Sequence, residues 1–254
     1  MSFAFDHLII LVHDLEAAVR DYEALGFTVQ QREDSVEGSM LNRFICFADG
    51  SYLLLSTFAE PAKAAAHRVG RYLASGEGWA DYSFVVDDVE AVHGRLASAG
   101  LPTRGPVKVA NTLATGEAWS LDLLMAGVGA DGDDALPFIV EDKQGRSHRI
   151  PAARAHSNGA TGIAGIRLAV ASSPSIVKAL EIMAGHALKT TSVTVAKKAA
   201  TRVAFGCGWL DIVENLDLNR GMGGMFEVVL TTNAADIRLD PSLMHGAAMS
   251  FAAT

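Results

Sequence analysis

The chain has 254 residues, half of them hydrophobic, a formal net charge of −8 and only two cysteines. That length supports a sizeable core in one or two domains. Scattered acids without a basic block exclude nucleic-acid binding as the main role, and no apolar run approaches the roughly 20 residues of a membrane-spanning helix.

The predicted elements begin with a strand over 5–12. Asp14 is placed to cap a following helix, whose stripe is Leu15, Ala18, Val19, Tyr22 and Leu25. Gly26 then supplies the left-handed turn that ends a helix. Strands are predicted over 27–32, 43–47 and 51–57, the last two flanking the hairpin signal Asp49-Gly50. The order is β-α-β-β-β. An alanine-rich linking helix is expected over 60–74.

The same pattern then returns 74 residues on: Asp88 for Asp14, Glu90 for Glu16, and Gly100 for Gly26. The second stripe is Val89, Val92, Leu96 and Ala99. A repeat of strand, cap, helix and terminating glycine implies two copies of one unit, so His7 and Asp81 occupy the same place in each. Strands follow over 118–125 and 137–141, around a Gly/Asp-rich tip at 127–134 that lacks the oxygen spacing of a calcium loop.

Residues 143–160 are polar and read as a linker, with His148 and His156 exposed. A third unit starts near Gly162, with a strand over 166–171, a helix over 174–184 and Gly185 as its stop. Strands are expected over 192–196, 202–205 and 209–214. A fourth unit is cut down to 226–232 and 244–251, with no helix between. Cys46 and Cys207 fall in strand-like segments and read as reduced core thiols. With no secretory signal pattern at the N-terminus, this fits a cytoplasmic location.

Paired β-α-β-β-β units, with Phe5-Asp6-His7-Leu8, Asn42-Arg43-Phe44, Gly50-Ser51-Tyr52-Leu53, Leu136-Pro137-Phe138-Ile139 and Asn158-Gly159-Ala160, resemble the vicinal oxygen chelate superfamily. That superfamily includes glyoxalase I, extradiol dioxygenases and bleomycin-resistance proteins. The resemblance is greatest to its glyoxalase-like group and covers most of the chain. It implies an α+β fold of repeated βαβββ modules forming two cup-like open barrels, the second with a shortened last module. The expected division is 1–142, a linker at 143–160, and 161–254.

In such proteins metal ligands come from the first and last strands of each unit. His7 matches the first-strand histidine. Leu54 stands where the family carries a glutamate, and Asp34 and Ser35 stand where the group often has a histidine. The resemblance therefore implies a degraded or altered metal site, with Mn, Fe, Ni or Zn as the divalent candidates and His7 as the surviving ligand.

His7 is the first candidate catalytic residue, as base or metal ligand. It points inward if Phe5 does, because alternate side chains share a strand face. Asp81, its repeat twin, and Glu141 complete a one-histidine, two-carboxylate set. Asn42 and Arg43 match the substrate-side motif, and arginine offers a planar fork to an anionic oxygen. Tyr52, Trp119 and Phe138 are expected to line the pocket. No His-x-x-x-His, Gly-x-Ser-x-Gly or phosphate loop feeding a helix occurs; the glycines of 221–224 precede a strand.

Two functions fit these residues. One is a lyase- or isomerase-type enzyme that stabilises an enolate or oxyanion of a small oxygenated molecule. The other is a metal-free binding or sequestering protein of the same fold. The expected partner is a small molecule, with no nucleic acid or membrane, and a homodimer is compatible with the exposed sheet edges.

Overall fold

Asp14 and Asp88 do the same job in two places. In the computed structural model, which describes residues 3–35, 38–129, 132–206, 208–218, 223–234 and 237–252, Asp14 accepts the Ala17 N–H at 2.9 Å and Asp88 the Ala91 N–H at 2.8 Å. Each bond satisfies an orphan donor of a first helical turn and contributes about 1 kcal/mol. Gly26 and Gly100 close the two helices with φ of 87° and 72°, the left-handed region that glycine enters without a Cβ penalty.

The first half runs β1 (Ala4–Leu11), α1 (Leu15–Ala24), β2 (Met40–Cys46), β3 (Tyr52–Phe58), α2 (Pro61–Ala66), α3 (Gly70–Ala74), β4 (Gly78–Val85), α4 (Val89–Ser98), β5 (Thr103–Thr112), β6 (Ala118–Ala126) and β7 (Phe138–Gln144). After α5 (Arg146–Arg149) come β8 (Ala160–Val170), α6 (Ser173–Ala184), β9 (Lys189–Val195), β10 (Lys198–Phe205), β11 (Gly208–Glu214), β12 (Gly224–Thr232), a 3₁₀ turn at Pro241–Leu243, and β13 (Met249–Phe251).

One sheet has the order β2-β3-β1-β4-β7-β6-β5 and the other β13-β12-β8-β11-β10-β9. Each module's first strand pairs in parallel with its last, as in β1–β3, β4–β7, β8–β11 and β12–β13. First strands meet antiparallel at the module junctions, β1 with β4 and β8 with β12. Among the described residues the fourth module keeps only its first and last strands.

Both sheets turn one face to a common core. Leu8, Ile10, Tyr22, Phe84, Leu96, Ile166, Leu180 and Val228 belong to it, so α1, α4 and α6 bury their stripes between the sheets. The opposite face of the first sheet forms the cup. Ile9 is its centre, packing against three clusters around Phe58, Phe44 and Trp119.

The register reveals a feature of all four first strands. Phe5 faces Phe84 and Leu8 faces Tyr82, so Asp6 and His7 together oppose one residue, Ser83. Ile9 faces Asp81 and Ile10 faces Trp79, which leaves Ala80 as the extra residue of β4. The second sheet repeats both bulges: Phe226 is extra on β12, and Ala164 on β8. His7, Asp81, Gly165 and Glu227 are thus structural equivalents. A bulge lets two successive side chains share a face.

Four expectations change. Residues 27–32 make only the bridge Gln30–Phe44, because they bond instead to the following connection: Thr28 N–H to His156 Nδ1 and the Gln30 amide to the Ala152 carbonyl. The linking helix breaks at 67–69, where Gly70 packs against the Ala64 carbonyl so closely that a Cβ would lie 1.8 Å from it. The strand β5 was not predicted. The connection over 143–160 is packed rather than a free linker: it carries α5, and His156 is buried, bonded to Thr28 and Cys46 and edge-on to Phe27 and Phe47. Cys46 is a buried thiol whose pKa burial pushes up to about 12. Cys207, residues 130–131 of the Gly/Asp-rich tip and residues 221–222 of the glycine run lie outside the described residues.

Candidate functional site

Phe5 belongs to the shared core, so simple alternation would have sent His7 there only if the strand were regular after Asp6. The bulge resolves this. Asp6 follows Phe5 onto the cup face, and His7 stays on that face beside it. Asp6 is fully buried and His7 is 7 % exposed.

The two side chains form a dyad, with His7 Nδ1 2.8 Å from Asp6 Oδ2. The imidazole stacks on Tyr52 at 4.8 Å and meets Phe138 edge-on at 5.0 Å. Arg149, from α5, caps Asp6: its Nη1 donates to Oδ2 at 3.2 Å and to the Tyr52 hydroxyl at 2.6 Å, and its Nη2 donates to Oδ1 at 3.1 Å. Arg146 donates to Asp6 Oδ1 at 2.7 Å. Asp142 completes the set, accepting from Arg149 Nε at 2.7 Å and Arg146 Nη1 at 2.5 Å.

Two carboxylates and two guanidiniums balance, which fixes the protonation of His7. Burial alone would raise the Asp6 pKa; the His7 bond and the charges of Arg149 and Arg146 outweigh it and hold the carboxyl far below the usual range. For His7 burial is the largest influence and lowers its pKa; the Asp6 bond opposes this, while Arg149 and Arg146 add to the lowering. A proton on His7 would be a third positive charge in a buried site. Ionised Asp6 only accepts, so Nδ1 carries the ring proton and Nε2 keeps a lone pair. Burial also holds the Tyr52 hydroxyl well above its ordinary pKa.

The far wall is aromatic. Arg32 lies between Phe44 and Trp119, its Cζ 5.1 and 4.7 Å from their ring centres. Asp34 binds the same guanidinium through two bonds, and Arg32 Nη1 donates to the Arg149 carbonyl at 2.5 Å. Trp119 is 7 % exposed, and its indole N–H is buried without a partner among the described residues. Such a donor costs about 1–3 kcal/mol unless something accepts from it.

The structure brings together His7, Tyr52, Trp119 and Phe138, and separates the rest. Asp81 lies on the cup face, in ion contact with Arg68 rather than with His7. Glu141 projects from the opposite face of β7, where it accepts the Val89 N–H at the start of α4 at 3.0 Å and pairs with Lys143. The expected one-histidine, two-carboxylate set is therefore dispersed. Arg43 also points away from the cup, pairing with exposed Glu16 at 2.7 Å. Asn42 stays on the cup side of β2, accepting from Ser56 Oγ at 2.7 Å. Asp6, Asp142, Arg146 and Arg149 were not singled out from the sequence. The available signal was an Asp142-x-x-x-Arg146-x-x-Arg149 run at helical spacing, inside what reads as a linker.

These residues do not fit a divalent ion. Leu54 and Phe138 put hydrocarbon at the last-strand positions, His7 Nδ1 is taken by Asp6, and Asp81 by Arg68. Among the described residues no three His, Cys, Asp or Glu side chains are grouped to hold a metal.

The family model described as "Glyoxalase-like domain" matches residues 5–183. The chain belongs to this family. No curated protein matches it by sequence. Among solved structures, it is similar to a hypothetical protein from Staphylococcus aureus at 14 % identity and a TM-score of 0.71, covering 98 % of this chain and 99 % of that one. It is also similar to a mutant of 4-hydroxymandelate synthase from Streptomyces coelicolor, at 14 % identity and a TM-score of 0.61, over 92 % of this chain and 72 % of the synthase. At these identities the likeness shows the shared fold. No helix among the described residues is long and apolar enough to cross a membrane.

Proposed function

We propose that this member of the glyoxalase-like family is an enzyme of lyase or isomerase type, which moves a proton on a small oxygenated organic molecule through His7 Nε2. The observation that carries this reading is the Asp6–His7 dyad. Asp6 fixes the tautomer and ring orientation, Tyr52 and Phe138 wall the ring, and no described group bonds Nε2. A neutral, oriented imidazole with a lowered pKa is a general base at neutral pH. Proton removal beside a carbonyl builds negative charge on oxygen, and a preorganised donor stabilises it. The partnerless Trp119 N–H supports an acceptor oxygen in this cup. No step passes through a metal.

The test is proton exchange. Small ketones, 2-hydroxy ketones and 2-oxo acids are incubated in D₂O with the parent or with His7→Gln, and loss of the carbon-bound proton signal is followed by NMR. The expected result is exchange of at least one compound, lost in the variant. Binding of a compound without exchange would favour the second reading, a sequestering protein. Leu54 at the carboxylate position and Arg32 filling the aromatic slot are the observations on that side.

A further inference from the structure

We propose that Arg68 anchors an anionic group of the substrate, a carboxylate or a phosphate, reached through the cavity beneath α2 and α3. The substrate class is then a small oxygenated molecule with a negative end. This rests on the reading of His7 as the base.

The cavity has a volume of about 700 Å³ and is lined by His13, Phe58, His67, Arg68, Arg71 and Leu73. Its titratable lining is histidine and arginine. The acids that bond its lining residues are each already partnered: Asp81 and Asp134 by arginines, and Glu77 by the His13 N–H and His245. Burial lowers the His67 pKa, and the nearby charges of Arg68 and Arg104 lower it further.

Arg68 reaches from this cavity into the cup. Its side chain is 16 % exposed, Asp81 is its ion partner, and its Cζ lies 5.8 Å from the centre of the Phe138 ring. The same ring takes His7 edge-on at 5.0 Å. One aromatic wall therefore joins the base to the guanidinium. A molecule lying along Phe138 can offer a carbon to Nε2 at one end and an anion to Arg68 at the other.

A guanidinium has five N–H donors, and its fork matches a carboxylate or phosphate. One carboxylate, Asp81, leaves donors for another. The repeat gives Asp81 a role here. At the position where the first module has its base, the second has an acid that holds Arg68 at the cup. Asp81 is a positioning residue, acting through Arg68.

The experiment titrates malonate and inorganic phosphate into the full chain by calorimetry. It compares the parent with Arg68→Gln, Arg68→Lys, Arg71→Gln and the double variant Arg68→Gln/Asp81→Asn, which leaves no orphaned buried acid should the single variant misfold. Parent binding to one of the two anions is expected, and the preferred one tells carboxylate from phosphate. Loss of charge-assisted bonds should weaken it by roughly tenfold or more in the folded Gln variants. Lysine, a point charge without the fork, should fall between, and Arg71→Gln should change affinity by less than about threefold, as expected of an exposed ion pair. No binding by the parent, unchanged binding in the double variant, or an equal loss in Arg71→Gln would overturn the anchor. His7→Gln should bind the same anion. Anion binding through Arg68 without proton exchange would sink the catalytic reading alone; exchange indifferent to Arg68 would sink the anchor alone.

Discussion

The two sheets share a pair of bulges at equivalent places and fill them in opposite ways. In the first cup the bulge positions are His7 and Asp81, and the last-strand positions are Leu54 and Phe138. In the second they are Gly165 and Glu227, with Asp211 and Ser250. A Cβ on Gly165 would lie 2.2 Å from the Trp209 ring, so the indole fills the space that belongs to His7 in the first cup. Asp211 is fully buried and gripped by Arg202 through two bonds, at 2.7 and 2.8 Å, and Glu227 takes Arg167 at 2.6 Å.

What differs is closure. Arg149 is 4 % exposed, whereas Arg167 and Arg202 are 26 % and 33 % exposed. The second cup lacks the strands that its fourth module has lost, so it has no counterpart of the Trp119 wall. Repeated backbone geometry does not make a site; a desolvated base beside an oriented acid does.

The largest test of this contrast is to remove the central acid of each cup. Asp6→Asn uncovers the buried Arg149 and should cost about 3–5 kcal/mol, while Asp211→Asn, with half-exposed partners, should cost about 1–2 kcal/mol. Urea unfolding measures both, and equal losses would show that the two cups are equally closed around their acids. Next comes pH. His7 has a lowered pKa, so its contribution is complete above the unfolded value near 6.5 and is lost as pH falls from there through the lower folded value. His245 behaves oppositely. Burial lowers its pKa, but bonds to Glu77 at 2.7 Å and Asp21 at 2.9 Å outweigh this and raise it. Its stabilisation is present below 6.5 and is lost as pH rises through the folded value. Melting of His7→Gln and His245→Gln between pH 5 and 9 should flatten the acid and alkaline sides respectively.

Smaller effects separate the indoles. Trp119→Phe removes a donor with no described partner but also weakens the ring beside Arg32, 4.7 Å from its centre, so the two effects should offset to within about 0.5 kcal/mol of neutral. Trp209→Phe weakens the ring under Arg202, 3.9 Å from its centre, and should cost about 0.5–1 kcal/mol. Least of all, Arg43→Ala should change stability by less than about 0.5 kcal/mol, because its pair with Glu16 is exposed.

The fold was readable because the repeat writes the same signals twice: cap, stripe and terminating glycine need only local chemistry. Half of the cup was readable too, through His7, Tyr52, Trp119 and Phe138. Asp6 was hidden because alternation assigns neighbours to opposite faces, and nothing in Asp6-His7 announces a bulge. Arg149 was hidden because a buried arginine and a solvated one look alike in a polar stretch. Glu141 and Arg43 were misplaced by one strand face, the error to which a period of two is most prone.

The most direct measurement is ¹⁵N NMR of the His7 imidazole across pH, in the parent and in Asp6→Asn. The expected result is a neutral ring near pH 7 with the proton on Nδ1 and a bare Nε2, a pKa below 6.5, and loss of that fixed tautomer when Asp6 can no longer act as the ionised acceptor. A protonated ring at pH 7, or a neutral ring with its proton on Nε2, would contradict it.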